Sequence, residues 1–136
     1  MCIRDRSYGV VDCDTERLTY ARAGHDRPFL VRDGTVTTLG GRGMALGLFD
    51  NTLFNVSEEE LTLRPGDRLV LYTDGLSDVV NPDGQMLLTE RLRAMVLRHA
   101  PQSPVAFCRA LFDDLAAYQG SAPQFDDMAV VVAALE

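Results

Sequence analysis

Short apolar runs separated by turn-forming residues fill the first half of this chain, and after about residue 88 the apolar spacing lengthens to a helical one. Residues 8–12 and 17–23 read as two strands joined by the polar turn Cys13-Asp14-Thr15-Glu16. The turn Gly24-His25-Asp26-Arg27-Pro28 leads into the apolar run Phe29-Leu30-Val31, and Asp33-Gly34 signals a tight hairpin with 35–39 as its return strand. These four segments are expected to form one antiparallel meander. Gly40, Gly41, Gly43 and Gly47 make the next stretch a permissive flap, with Met44, Leu46 and Leu48 as apolar anchors. It has neither the spacing nor the following lysine of a phosphate-binding loop.

Residues 52–63 are a strand candidate interrupted by Glu58-Glu59-Glu60, which suit a solvated edge. Arg64-Pro65-Gly66-Asp67 then turns the chain into 68–73, a run apolar on both faces, as a strand between two layers requires. A short turn or helical piece is expected over 76–80, and Asn81-Pro82-Asp83-Gly84 is a turn. From Thr89, read as an N-cap, the residues Leu88, Leu92, Met95 and Val96 share one helical face. Ser103-Pro104 caps and starts a second helix with the stripe Phe107, Ala110, Leu111, Leu115 and Tyr118, stopped by Gly120. The last run, 128–135, reads as a continuous buried strand returning to the centre of the sheet. The expected class is α+β, an antiparallel sheet with two helices packed on it.

The chemistry sits at two strand ends. Gly66-Asp67-Arg68-Leu69-Val70-Leu71-Tyr72-Thr73-Asp74-Gly75 delivers the carboxylate of Asp74 after an apolar run, whereas Phe125-Asp126-Asp127-Met128 places carboxylates before one. If the two runs are antiparallel neighbours, both acidic clusters meet at one sheet edge. Carboxylates forced together repel, and either a raised pKa or a bound hard cation relieves them. A carboxylate metal site is therefore expected there. His25 reads as a structural or exposed turn residue, and His99 as a helix C-terminal residue in favourable contact with the dipole.

Length and composition narrow the classes without identifying one. The 136 residues suffice for one domain with a core, and a net charge of −7 argues against a nucleic-acid surface. Cys2, Cys13 and Cys108 share no metal-ligand spacing and are odd in number, which fits a reducing, cytoplasmic setting. No apolar run reaches the ~18 residues of a membrane span. Residues 1–7 are set apart as a non-native or disordered start, because Met1-Cys2-Ile3-Arg4-Asp5-Arg6 has no periodicity and resembles a leader acquired in sequence assembly.

Taken in order, Ala23-Gly24-His25, Leu46-Gly47, Pro65-Gly66-Asp67, Thr73-Asp74-Gly75 and Asp126-Asp127-Met128 resemble the SpoIIE/RsbU-type branch of the metal-dependent, type 2C serine/threonine protein phosphatases. The resemblance covers nearly all of 8–136. It implies an α-β-β-α sandwich of antiparallel sheets flanked by helices, with a two-metal centre of Mn²⁺ or Mg²⁺ at one end. By motif, Asp74 and Asp126 resemble the family's metal-ligating aspartates, Asp127 a residue supporting Asp126, and Asp78 an aspartate associated with an accessory metal. Hard ions of this kind take oxygen ligands and activate water for attack on a phosphoserine, with no protein nucleophile. The implied substrate is a phosphoserine protein such as an anti-sigma-factor antagonist, and an upstream sensor domain is implied as well.

The sequence departs from the family at its start. The Gly-Asp…Asp and Asp-x-x-Gly-His-Gly motifs, which supply the remaining ligands and the first helix pair, do not occur in these residues. The chain thus reads as the C-terminal portion of such a domain, with 8–136 a partial domain, an incomplete binuclear centre and no activity alone. The alternative is a non-catalytic phosphatase-like interaction module. A metal-free β-rich binding domain is a third reading, but it leaves the two acidic strand ends unexplained.

Overall fold

The computed structural model describes residues 5–47 and 55–136. Cys2, Leu48 and the first residues of the 52–63 strand reading lie outside them. Among the described residues the elements are β1 (Arg6–Asp12), β2 (Arg17–Ala23), β3 (Phe29–Arg32), β4 (Thr35–Thr38), β5 (Glu58–Thr62), β6 (Arg68–Tyr72), α1 (Leu88–His99), α2 (Pro104–Gln119) and β7 (Val130–Ala134), with a 3-10 turn at Asp74–Leu76.

The strands form two antiparallel sheets, ordered β1-β2-β5 and β4-β3-β6-β7. The expected four-strand meander is therefore two hairpins in different sheets. Gly24, at φ +74°, breaks the run between β2 and β3 and lets the chain cross from one layer to the other. β6 explains why both of its faces are apolar. Val70 and Tyr72 join Phe29, Val31, Leu92, Val96, Phe107, Leu111 and Leu115 in the core under the helices. Leu69, one residue out of phase, joins Leu18, Leu30, Leu39 and Leu63 between the sheets. The layers are thus helices, four-stranded sheet and three-stranded sheet, an α+β sandwich.

Several local expectations change. β1 starts at Arg6 rather than Tyr8, since Arg6 and Ser7 pair with Ala23 and Arg22. Glu58-Glu59-Glu60 do not interrupt a strand but begin β5, where alternate exposure on an edge tolerates them. β7 lies at the sheet edge beside β6, not at its centre. Its Val130 and Val132 pack under the helices, whereas Val131 is 62% exposed because the smaller sheet does not extend over it.

Thr89 is not the cap of α1. Leu87 enters the core instead, held by its N–H to the Val79 carbonyl at 2.7 Å, and the next N–H, of Leu88, reaches the Ser77 carbonyl at 2.9 Å. Leu88 is left 58% exposed and takes φ +64°, a left-handed conformation that is costly for leucine. The start of α1 is thereby fastened to the segment that follows Asp74. α2 behaves as expected: Ser103 Oγ accepts from the Ala106 N–H at 3.4 Å, Pro104 occupies the first turn, and Gly120 ends the helix at φ +55°.

His99 does more than face a helix dipole. It is buried, its Nε2 bonds Asp114 Oδ2 of α2 at 2.8 Å, and its Nδ1 bonds Gln102 at 3.0 Å. A carboxylate can only accept, so Nε2 donates to Asp114 and the ring ties the two helices together.

The entry to β6 depends on a buried ion pair. Asp67, 2% exposed, takes Arg32 Nε at 2.8 Å and the Arg64 N–H at 2.8 Å, with a second Arg32 bond from Nη2. The Arg32 guanidinium, more than any other group, holds the Asp67 carboxyl below its ordinary value of 3.8. Asp67→Ala should cost about 2–3 kcal/mol, less than a wholly buried pair because Arg32 keeps 22% exposure. The pair stabilises fully above the unfolded value of 3.8 and loses its effect as pH falls through the depressed folded value. Urea unfolding of wild type and Asp67→Ala across that range should show the two curves converging in acid.

Candidate metal centre

The antiparallel register of β6 and β7 ends on the pair Tyr72–Val130. Just beyond it, Thr73 closes the two segments together. Its N–H donates to the Ala129 carbonyl at 3.1 Å, its Oγ1 donates to the Asp127 carbonyl at 3.0 Å, and the Ala129 N–H donates back to Oγ1 at 3.0 Å. Asp74 on one segment and Asp126-Asp127 on the other consequently emerge at one edge.

Gly75 allows the approach. A Cβ there would stand 2.3 Å from the Asp127 carbonyl oxygen, a backbone atom that cannot turn away. Asp74 opens the 3-10 turn and its Oδ1 accepts the Gly75 N–H at 3.0 Å. Its carbonyl accepts from the Asp78 N–H at 2.9 Å and from Ser77 Oγ at 3.0 Å. Asp78 is placed within the same turn, with Oδ1 3.3 Å from Ser77 Oγ. Asp74 and Asp78 are exposed, and a shallow cleft lined by Gly75, Asp78, Val79, Gln119, Phe125 and Asp126 joins the two acidic segments.

Asp126 Oδ1 accepts the Asp127 N–H at 2.7 Å, and that bond is the first cause of its lowered carboxyl pKa. The support Asp127 gives Asp126 thus comes from its backbone, while its own carboxylate is exposed.

A further carboxylate belongs to this neighbourhood, and the sequence reading passed over it. Asp26 is half-buried, and its pKa is raised first by burial and then by repulsion from Asp74, with Asp78 adding to it. The adjoining His25, half-buried with Nδ1 3.2 Å from the Asp26 carbonyl, lines one cleft with Tyr72, Thr73 and Ala129 and another with Arg22, Asp26 and Thr38. Burial, together with the Asp26 charge, pushes the Tyr72 phenol up to about 12. The contiguity of Ala23-Gly24-His25-Asp26 was visible in sequence, but only the crossing between sheets brings it to the end of β6.

The donor set fits a hard divalent cation: carboxylate oxygens and an edge open to water, beside Asp26, whose pKa is raised by burial and then by its acidic neighbours. It does not form a closed cage. Among the described residues no cluster of at least three His, Cys, Asp or Glu side chains stands close enough to hold an ion alone. Cys13 and Cys108 are free thiols apart from the site, and no described helix is long and apolar enough to cross a membrane.

Two layers of antiparallel sheet, one helix layer and an acidic edge where β6 and β7 end make up part of a fold shared with type 2C phosphatase domains. The chain belongs to the SpoIIE family: residues 6–136 match the family described as Stage II sporulation protein E. The SiaA-PP2C domain of Pseudomonas aeruginosa superimposes with a TM-score of 0.84 at 28% identity, over 97% of this chain and 51% of that one. Protein IcfG of Synechocystis is 26% identical over 91% of this chain and 19% of its own length. Phosphoserine phosphatase RsbU of Bacillus subtilis is 26% identical over 79% of this chain and 32% of its own. The chain therefore spans less than a third of these curated relatives and about half of the solved domain.

Two measurements check this geometry. Gly75→Ala should destabilise the chain by about 1–3 kcal/mol, read by urea unfolding, since one methyl must push the Asp127 backbone aside. Asp26→Asn should raise the thermal midpoint at pH 7. The folded carboxyl holds its proton more tightly than the unfolded one at 3.8, so stability falls as pH rises from that value and ionisation works against folding. The advantage of Asp26→Asn should vanish in acid below that value.

Proposed function

We propose that this chain contributes to a metal-dependent phosphoserine phosphatase, with Asp74 and Asp126 as direct ligands of Mn²⁺ or Mg²⁺, Asp78 as an accessory ligand and Asp127 in support. The observation that carries the reading is the closure of β6 on β7 through Thr73 and Gly75, which holds the two acidic segments at one edge. When bound, such ions activate a water for in-line attack on phosphorus and offset charge on the phosphoryl oxygens.

The chain's own residues hold and space the carboxylates. The Asp74 turn is fixed by Ser77 and Asp78, and the Asp126 segment by Thr73. Asp26 keeps a proton more readily than an isolated aspartate, which limits charge accumulation at the edge. Membership of a metal-dependent family and similarity to a protein named as a phosphoserine phosphatase support the substrate class. Within it we favour a phosphoserine on a regulatory protein of the anti-sigma-factor-antagonist type, in a cytoplasmic setting and under an upstream sensor domain.

These residues supply part of a ligand set, so these 136 residues alone should bind Mn²⁺ yet show no turnover of a phosphoserine peptide. In calorimetric titration, Asp74→Asn and Asp126→Asn should each weaken Mn²⁺ binding by about tenfold or more, while the exposed turn variant Asp14→Asn leaves it unchanged. Absence of Mn²⁺ binding, or equal binding in all variants, would contradict the assignment and favour a non-catalytic interaction module.

A further inference from the structure

The glycine-rich flap is not loose where the structure describes it. Its carbonyls and amides are engaged on one short stretch, the end of β2 and the turn after it. The Gly24 N–H donates to the Gly43 carbonyl at 3.0 Å. A Cβ on Gly43 would stand 1.7 Å from the Arg22 carbonyl oxygen, so the two backbones touch with no room for a side chain. A Cβ on Gly24 would meet that of Ala45 at 2.7 Å. Farther along, Arg42 and Ser57 clasp each other, with the Ser57 N–H on the Arg42 carbonyl at 2.8 Å and the Arg42 N–H on Ser57 Oγ at 2.7 Å. Gly43 also bridges Val56.

One side chain spans this contact. Arg22 donates from Nη1 to the His25 carbonyl at 2.7 Å and from Nη2 to the Gly41 carbonyl at 3.0 Å. Its fork thus bonds the turn with one arm and the flap, 19 residues away, with the other. Its Nε is buried without a hydrogen-bond partner among the described residues, so these two bonds are the ones that anchor the guanidinium. The same turn carries Asp26, which lies within electrostatic reach of Asp74, Asp78 and Arg22 itself. A planar fork with two diverging donors can hold two carbonyls at fixed separation, whereas a lysine ammonium is a point charge on a flexible stem.

We propose that Arg22 is a positioning residue that locks the flap, residues 40–47, onto the turn at residues 24–26, so that the seat of the flap and the carboxylate facing the Asp74 edge move as one unit. Nothing in the carboxylate chemistry requires this residue. Its part is to couple the flap to the turn that carries Asp26. A phosphoprotein that displaces the flap would thereby alter the acidic edge, and a cation that draws the edge together would steady the flap. This coupling to a cation rests on the phosphatase reading, but the lock itself does not.

Amide hydrogen exchange on the 136-residue chain tests the lock. In Arg22→Gln, the Gly24 and Ser57 amides should exchange at least about tenfold faster while those of Val70 and Tyr72 in β6 keep wild-type rates. Arg22→Lys should recover only part of the protection. Unchanged flap amides in Arg22→Gln, full recovery in Arg22→Lys, or equal acceleration of flap and β6 amides would overturn it. Mn²⁺ titration of the same proteins tests the coupling: severalfold weaker binding in Arg22→Gln supports it, and an unchanged Kd with a freed flap refutes it. If wild type takes up no Mn²⁺, the phosphatase reading and the coupling fall together, and the exchange rates still decide the lock.

Discussion

The antiparallel pairing of β6 with β7 is the constraint on which the rest depends. Two runs whose carboxylates sit at opposite ends in sequence can bring them together only if they run in opposite directions, in register. The register is fixed at both ends. At the entry to β6, the Leu135 N–H donates to the Asp67 carbonyl at 3.0 Å and the Gly66 N–H to that of Leu135 at 2.9 Å, while Arg32 secures the Asp67 side chain. At the exit, Thr73 donates and accepts across the gap, and Gly75 leaves space for the Asp127 backbone. A shift of one residue would exchange the two faces of β7 and put Val131 under the helices in place of Val130 and Val132.

The helix layer extends this constraint to the turn after Asp74. Leu76 and Val79 are buried beneath the helices, and the backbones of Ser77 and Val79 accept the first amides of the α1 entry. The strained φ of Leu88 is where the chain absorbs that attachment. Packing of α1 therefore bears on the position of Asp74 and Asp78, and Gln119 at the end of α2 lines the cleft beside them. The flap rests on the turn at residues 24–26, whose Asp26 lies within electrostatic reach of the same edge. The site is thus held by elements from both sheets and by the helix layer.

Much of this was legible in the sequence because it rests on local chemistry. The hairpin turn at Asp33-Gly34, the Ser103-Pro104 start of α2, the two-faced apolar pattern of β6 and the opposed order of the acidic segments are all short-range signals. The features missed are those decided at long range. Nothing local distinguishes a meander from two hairpins in separate sheets, since that depends on the left-handed residue at Gly24 and on which faces find partners. The edge position of β7 could not be read from a wholly apolar run, which suits an inner strand equally well. Leu87 displaced Leu88 from the core because backbone bonds to Val79 and Ser77 outweighed helical periodicity. Asp26 escaped notice because its raised pKa arises from burial in the fold and from Asp74, 48 positions on in the chain.

The most direct test of the central claim uses Mn²⁺ as a paramagnetic probe of the amide signals in a ¹⁵N-labelled chain. Substoichiometric Mn²⁺ should broaden the amides of Gly75, Asp78, Asp127 and Met128 first, with those of His25 and Asp26 following, while the acidic edge at Glu58, Glu59 and Glu60 and the turn at Asp12 and Asp14 stay sharp. Broadening spread evenly over all the surface carboxylates, or centred on Glu58–Thr62, would show that the two strand ends do not form a metal centre.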